Sequence, residues 1–211
     1  MPDPAVPDPA LPDPAVPDPA VPDPALPDPA LPDPALPDPA LTEPTDAADP
    51  TALLIAELTA RHLTIAVAES LTGGLLVAEL VRIPGASVVV NGGVVAYQAE
   101  LKQRLLGVDS SILNVHGPVH PDVAKQMAIG ARTHLAVGGE RADIGVSTTG
   151  VAGPDPQGGL EPGTVFIGVS QGTGSWAIPL QLSGDRDAIR SETVALAIEA
   201  VRELIARNPT E

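Results

Sequence analysis

The stretch "LTIAVAESLTGG" at residues 63–74 decides the fold of this chain. Its first six residues are mostly aliphatic or β-branched, which predicts a short buried strand over residues 63–68. An acid, two hydroxyl residues and two glycines follow, and a stretch of helical character runs from Thr72 to Val81. We therefore predict a strand that enters a helix through a polar, glycine-rich turn, a building block of α/β folds.

The rest of the chain continues this alternation of strands and helices. Further strands are predicted at 88–97, at 142–150 and in a hairpin around 171–174, and further helices after Pro50, at 98–107, after Pro121 and at 183–207. Strands alternate with helices early in the chain and pair with each other late, so parallel and antiparallel pairs are both expected. The predicted fold class is α/β, a three-layer sandwich with a mixed sheet.

Residues 1–48 differ in composition from the remainder. They largely repeat a five-residue unit such as "VPDPA", and residues 1–50 hold 18 of the 26 prolines, 11 of the 27 acids and no Lys or Arg. Proline at every second or third position removes backbone donors and prevents helix formation. The sequence predicts a disordered acidic tail at 1–48, followed by one folded domain at 49–211.

The composition of the folded domain argues against several classes of function. Zero cysteines exclude disulfides and thiolate metal sites, and no apolar run approaches the ~20 residues needed to span a bilayer. Residues 51–211 carry 16 acids against 11 basic residues, whereas nucleic-acid binding favours a basic face. We predict a cytoplasmic protein that binds neither membrane nor nucleic acid.

Ser70 is the first candidate for chemistry. It lies where a predicted strand ends and just before a helix begins, and ligands of open α/β sheets bind at such carboxyl ends. Free amides at a helix start favour an anion or a developing oxyanion, and Gly73 and Gly74 would allow a ligand close to the backbone. The alternative is that Ser70 or Thr72 only caps the helix, which is the commoner use of such hydroxyls.

Tyr97 and Lys102 form a second candidate pair. Tyr97 closes the predicted strand at 88–97, and Lys102 lies five residues further on, in the following helix. A lysine whose pKa is lowered by burial can accept a proton from serine, as histidine does in a catalytic triad. The alternative is a surface lysine beside a half-buried tyrosine, because most lysines are exposed to solvent.

His116 and His120 are spaced four residues apart, a spacing that would place two metal ligands on one face of a helix. Gly117 and Pro118 between them argue against a helix there. We predict no metal site and keep this pair as an alternative.

Six stretches, taken together, resemble one protein family. They occur in the order and spacing of the CinA C-terminal domain, the domain of the competence/damage-inducible proteins, and they cover residues 50–207. The stretches are "AESLTGG", "GGVVAYQAELKQRLLGV", "HGPVHPDVAKQMAIGAR", "TTGVAGPD", "GTVFIGV" and "SGDRDAIR". Stand-alone members of this family are nicotinamide-nucleotide amidases.

The resemblance implies an α/β fold, a homodimer and hydrolysis of nicotinamide mononucleotide to nicotinate mononucleotide and ammonia, with neither a metal nor an organic cofactor. The family's serine nucleophile falls on Ser70, and its catalytic tyrosine and lysine fall on Tyr97 and Lys102. The substrate-binding residues implied are Thr72, Gly73, Gly74, Thr149, Gly150 and Arg186.

The chemistry of these side chains suits the roles that the resemblance implies. Lys102, neutral when desolvated, would accept the Ser70 proton directly or with help from Tyr97. Amides near Thr72 to Gly74 would hold the oxyanion, and Arg186 would bind the nucleotide phosphate.

Departures from the family pattern keep a second hypothesis open. Leu71 stands where the family usually has cysteine, and Pro118 and His120 replace alanine and serine, which is expected to weaken the cap of the helix at Pro121. Glu161 replaces a basic residue and would repel a phosphate. The loop "GPDPQGG" is two residues longer than the family's usual form. The second hypothesis is a non-catalytic nucleotide-binding partner protein.

Overall fold

The computed structural model describes residues 49–207, so the predicted tail at 1–48 and the last four residues lie outside the described part. The helices and strands, in chain order, are α1 (Pro50–Ala60), β1 (Ile65–Glu69), α2 (Leu75–Val81), β2 (Val90–Val95), α3 (Ala99–Leu106), α4 (Ser110–His116), α5 (Pro121–His134), β3 (Ile144–Gly150), β4 (Thr164–Gln171), β5 (Gly174–Gln181) and α6 (Arg186–Arg207). None of the helices in this described part has the length and apolar character needed to cross a membrane.

The five strands form one mixed sheet in the order β2-β1-β3-β4-β5. β1 is parallel to both β2 and β3, whereas β4 is antiparallel to β3 and to β5. The predicted mixed sheet and the late hairpin are therefore confirmed. Because β1, β2 and β3 run in the same direction, their carboxyl ends lie at one edge of the sheet, where loops can place side chains close together.

The two faces of the sheet are covered by different helices. Apolar side chains of α1, α2 and α6 pack on one face, against Val67 of β1 and Ile167 of β4. Side chains of α3 and α5 pack on the other face, where β1 presents Ala66 and Ala68. Alternate residues of β1 thus point into opposite layers, as the pleat of a strand requires. The three-layer sandwich is confirmed, and its core is almost entirely aliphatic.

Helix α5 lies against the sheet at positions that carry no side chain. A Cβ atom at Gly145 would collide with the carbonyl oxygen of Ala128, and one at Gly168 would collide with that of Ala124. The hydroxyl of Ser147 donates to the same Ala124 carbonyl at 2.7 Å. The backbone of α5 therefore packs directly on the backbones of β3 and β4, which fixes the layer beneath the site.

Side chains cap the first turns of several helices, and the sequence indicates some of these caps. The carboxylate of Asp49 accepts hydrogen bonds from the first turn of α1, as its position before Pro50 predicts. Helix α4 was not predicted; the carboxylate of Asp109 caps it by accepting from the Ser111 amide at 2.7 Å. At the start of α5, His120 Nδ1 accepts from the Asp122 amide at 3.2 Å. His120 thus still caps the helix, with its imidazole in the place of a hydroxyl.

Candidate active site

The turn after β1 is organised by the buried carboxylate of Glu69. Its oxygens accept hydrogen bonds from the amides of Gly74 at 2.9 Å, Leu76 at 3.1 Å and Val77 at 2.9 Å. Glu69 therefore caps α2, and the helix begins at Leu75 rather than at Thr72. The alternative interpretation, that Ser70 or Thr72 serves only as the helix cap, is wrong.

Gly73 and Gly74 give the turn its shape. Their φ angles are +61° and +101°, in the left-handed region that side chains disfavour. The Gly73 amide donates to the Ser70 carbonyl at 3.2 Å, and the Gly74 amide donates to Glu69. Both amides are thus already engaged and do not match the oxyanion role expected of them. Within residues 49–207, the neighbouring amides of Leu71 and Thr72 donate no hydrogen bond.

Ser70 and Lys102 meet in the interior of the site. The Lys102 Nζ lies 2.7 Å from Ser70 Oγ and 2.6 Å from the carbonyl oxygen of Ala96. Lys102 is completely buried, and Ser70 is only 7% exposed. Burial lowers the pKa of Lys102 from 10.5 to about 8, because the charged ammonium loses its hydration. The alternative of a surface lysine is wrong.

Parallel pairing explains why residues so far apart in sequence meet. Ser70 follows β1, whereas Lys102 lies one turn into α3, which begins just after the neighbouring parallel strand β2. The carbonyl of Ala96 lies between β2 and α3 and accepts from the same amine. The geometry allows an uncharged Lys102 to keep one N–H on Ala96 while its lone pair faces the serine hydroxyl.

Tyr97 and Arg186 lie at the outer rim of the site. An Arg186 guanidinium nitrogen donates to the Tyr97 hydroxyl at 3.3 Å, and another donates to the Gly153 carbonyl at 2.8 Å. Both side chains are exposed, and Tyr97 forms no hydrogen bond to Ser70 or Lys102 among the described residues. Proton transfer through Tyr97 therefore has no hydrogen-bonded route in this structure, whereas the direct route is in place.

The two predicted threonines, Thr149 and Thr72, form buried hydrogen bonds, and only Thr149 lines the site cavity. The buried hydroxyl of Thr149 donates to the Pro118 carbonyl at 2.7 Å, which joins the end of β3 to the loop before α5. The hydroxyl of Thr72 is also buried and lies 2.7 Å from that of Thr148. Each hydroxyl therefore already has a partner within the protein, and these hydrogen bonds help to hold the end of β3 in place. Gly150 ends β3 beside them.

A cavity of about 140 Å³ opens at this edge of the sheet. Of the predicted site residues it is lined by Ser70, Tyr97, Thr149, Gly150 and Arg186. Lys102 lies behind Ser70, and Glu161 does not line the cavity. A larger groove of about 610 Å³ lies between α1, α2 and α6, but it contains none of the predicted site residues.

The histidine pair does not form a metal centre in the described part of the chain. The rings of His116 and His120 stack with their centroids 4.3 Å apart. No group of three or more histidine or carboxylate side chains between residues 49 and 207 is placed to hold a metal ion.

Arg190 belongs to the site but was missed from the sequence. Its Nε donates to the Leu71 carbonyl and one terminal nitrogen donates to the Thr72 carbonyl, both at 3.1 Å. It lies one helical turn after Arg186 in α6. That spacing, and its place as the last residue of "SGDRDAIR", are the signals in the sequence that relate Arg190 to the site.

The fold and site define a class: an α/β sandwich with a buried serine–lysine pair at the carboxyl ends of parallel strands. The model of the CinA C-terminal domain matches residues 48–205. The chain belongs to the CinA C-terminal domain family, and the resemblance found in the sequence is confirmed.

Similar proteins support this assignment. The chain is 41% identical to a CinA-like protein of Frankia casuarinae over 157 residues, covering 74% of this chain and 35% of that protein. It is 42% identical to a CinA-like protein of Gemmatimonas aurantiaca, covering 75% and 36%. The chain thus spans about a third of the length of these curated relatives.

Solved structures share the fold. A competence-damaged protein (CinA) superfamily protein from Klebsiella pneumoniae superposes with a TM-score of 0.71 at 29% identity, over 75% of this chain and 97% of that one. The competence/damage inducible protein CihA from Agrobacterium tumefaciens gives 0.68 at 31% identity, over 76% and 99%. The folded domain therefore corresponds to nearly the whole of these smaller proteins.

Proposed function

We propose that the chain is an amidase that hydrolyses nicotinamide mononucleotide to nicotinate mononucleotide and ammonia. The observation that carries the proposal is the 2.7 Å contact between Ser70 Oγ and the amine of a fully buried Lys102. A lysine kept from water has a lowered pKa and can act as a general base at moderate pH. The substrate is taken from the family resemblance, and the proposed assembly is the homodimer that the resemblance implies.

The first half-reaction forms an ester on Ser70. The neutral Lys102 accepts the hydroxyl proton while Oγ bonds to the amide carbon, and the carbonyl oxygen gains negative charge. The carbon–nitrogen bond then breaks as protonated Lys102 gives its proton to the departing ammonia. This step leaves an acyl-serine and a neutral lysine, ready for the second half-reaction.

The second half-reaction returns the enzyme to its starting state. Lys102 accepts a proton from water as the water oxygen attacks the ester carbon. The bond to Oγ then breaks, and Oγ takes the proton back from Lys102. The product is a carboxylic acid, which loses its proton to the released ammonia or to water, and no group outside the chain and water is required.

Two charged side chains, Arg186 and Asp155, line the cavity, and Arg186 is the one that suits an anionic nucleotide at the rim. The amides at the start of α2 already bind the carboxylate of Glu69, so that helix end does not offer a phosphate site. Arg186 lines the cavity and its guanidinium is exposed, which suits a planar, charge-assisted contact to phosphate. At about 140 Å³ the cavity has room for a pyridine ring and its carboxamide, with the ribose phosphate outside.

The test is ammonia release from nicotinamide mononucleotide by purified protein. The wild-type chain should turn over the substrate and Ser70→Ala should not, because the nucleophile is gone. Ser175→Ala, a change near the start of β5 away from the site, is the matched control and should behave like wild type. Undiminished turnover in Ser70→Ala would refute the proposal. Calorimetric binding of the nucleotide without any turnover by wild type would instead support a non-catalytic binding protein.

A further inference from the structure

We propose that Asp155 is a specificity-determining residue, whose carboxylate pairs with the positively charged pyridinium ring of the substrate, so that the site prefers the oxidised nucleotide to its reduced form. The inference rests on the proposed amidase function and narrows its substrate class. It starts from the charged residues that line the cavity beside Ser70, where Asp155 supplies a negative charge and Arg186 a positive one.

The size of the cavity brings Asp155 close to a bound ring. Its volume of about 140 Å³ has room for the pyridine ring and its carboxamide, and Ser70 in its wall must reach the carboxamide carbon. A ring in so small a space lies near every residue that lines it, and Asp155 is one of these residues. The ribose and phosphate then extend past the rim, where the guanidinium of Arg186 is exposed.

The carboxylate of Asp155 is available to a ligand. Asp155 is exposed, and its side chain forms no hydrogen bond or ion pair with any residue between 49 and 207. The guanidinium of Arg186 donates instead to the Gly153 carbonyl and to the Tyr97 hydroxyl. The two charges are therefore not paired with each other, and the cavity presents one charge of each sign.

The loop that carries Asp155 is restrained. Asp155 lies between Pro154 and Pro156, and a following proline restricts a residue to extended backbone geometry. Just beyond, Gln157 and Leu160 exchange two backbone hydrogen bonds of 3.0 Å across a tight turn. These residues belong to the loop "GPDPQGG", which is two residues longer than the family's usual form. The restraint on Asp155 is thus a feature of this chain.

The proposed substrate carries the same two charges as the cavity. In the oxidised nucleotide the ring nitrogen is cationic and the phosphate is anionic, so Asp155 would pair with the ring and Arg186 with the phosphate. Opposite charges attract more strongly where protein limits the access of water. The reduced nucleotide keeps the ribose, the phosphate and the carboxamide, but its dihydropyridine ring is neutral. A comparison of the two forms therefore isolates the contribution of the ring charge.

The experiment measures binding of the oxidised and reduced mononucleotides by calorimetry at mildly alkaline pH. Ser70→Ala is the background, because it cannot consume the ligand under the proposed mechanism. The oxidised form should bind this protein more tightly than the reduced form. Adding Asp155→Asn should weaken binding of the oxidised form roughly 5- to 30-fold and that of the reduced form less than about twofold. Asp155→Glu, which keeps the charge, should retain most of the preference.

Glu161→Gln is the matched control. Glu161 follows in the same connection between β3 and β4 and also carries a carboxylate, but it does not line the cavity. Its substitution should leave the ratio of the two affinities unchanged. In the otherwise wild-type enzyme, Asp155→Asn should raise KM for the oxidised substrate by a factor similar to the loss in affinity, with kcat nearly unchanged. Thermal melting of each variant confirms that it is folded.

The outcomes separate the two proposals. An equal loss for both forms in Asp155→Asn would overturn the preference for the ring charge, because the carboxylate would then contact a group that both forms share, such as the ribose. Unchanged affinities, together with ammonia release by wild type, would also overturn it and leave the amidase proposal standing. A loss confined to the oxidised form, with no ammonia release by wild type, would support the role of Asp155 and refute hydrolysis. If neither form binds and no ammonia is released, both proposals are refuted.

Discussion

The inner and outer parts of the site are built in opposite ways. In the inner part, Ser70 and Lys102 are buried, and short contacts hold the amine against Ser70 Oγ and the Ala96 carbonyl. In the outer part, Tyr97 and Arg186 are exposed and joined by a longer contact of 3.3 Å. The inner pair is buried in the core of the protein, whereas the outer pair faces solvent.

Under the proposed amidase function, this difference would separate the residues of the chemical step from those that recognise the substrate. A buried, preorganised pair affects the rate of the chemical step, because its geometry is set before substrate arrives. An exposed guanidinium affects the affinity for a charged group outside the reacting bond. Inner substitutions should therefore lower kcat, and outer ones should raise KM.

The largest effect is expected for Lys102→Met. The unbranched apolar side chain fits a buried position but cannot accept a proton, so kcat/KM should fall by about 100- to 10,000-fold, the usual contribution of a general base. Steady-state ammonia release measures the loss. Lys125→Met alters a partly exposed lysine paired with Asp122 and should remain active. Activity of Lys102→Met near the wild-type level would show that the inner pair is not the catalytic unit.

The dependence of kcat/KM on pH should follow the protonation of Lys102, the base of the inner pair. Burial lowers the pKa of Lys102 to about 8, and only the neutral amine can act as base. The fraction of neutral amine rises about tenfold between pH 7 and pH 9, so kcat/KM should rise by about the same factor and then level off. An activity that is flat across this range would contradict a lysine base.

The protonation of Lys102 should also change the free energy of unfolding. The pKa of Lys102 is lower in the folded protein than the ordinary 10.5, so the unfolded chain binds more protons between about pH 8 and 10.5. The free energy of unfolding of wild type should therefore rise with pH across this window relative to Lys102→Met. The full difference is on the order of 3 kcal/mol, measured by denaturant titration at several pH values.

An intermediate effect is expected for Arg186→Met in the outer part. Loss of a charge-assisted contact to phosphate costs about 1.5–3 kcal/mol, which corresponds to roughly a 10- to 100-fold rise in KM with kcat nearly unchanged. The comparison substrate is the nucleoside without its phosphate, on which the variant and wild type should perform alike. Arg104→Met, at an exposed arginine of α3, is the control. A fall in kcat alone would place Arg186 in the chemical step.

The smallest effect is expected for Tyr97→Phe. The phenol hydroxyl makes one exposed contact to Arg186, and such hydrogen bonds contribute about 0.5–1.5 kcal/mol. KM should change by less than about tenfold, and kcat should stay at the wild-type value. A hundredfold loss of kcat would mean that Tyr97 relays the proton when substrate is bound, which would bring it into the inner part.

The sequence predicts the fold well because the relevant signals are local. The aliphatic and β-branched run before Glu69 indicates a strand, and Asp49 before Pro50 indicates a helix start. Parallel pairing then follows from the alternation of strands and helices, and it brings Ser70 near the residues after β2. The sequence alone thus predicts that a residue at the end of a strand, such as Ser70, lies at the edge of the sheet.

The details of the site depend on contacts that no local pattern contains. The delayed start of α2 results from Glu69 reaching amides five to eight residues ahead. The contact of Arg190 with the turn spans more than a hundred residues. Tyr97 and Lys102 are close in sequence, yet one is exposed and the other buried, because the chain turns between strand and helix at Ala96.

The direct contact between α5 and the sheet has a consequence for how this domain can diverge. Aliphatic cores usually accept exchanges of similar volume, because neighbouring side chains can shift to compensate. At Gly145 and Gly168 the neighbour is the main chain of α5 itself, which cannot move without carrying the whole helix and the wall of the cavity with it. Evolutionary drift in this family should therefore be freer at its bulky aliphatic positions than at the residues that contribute no side chain at all.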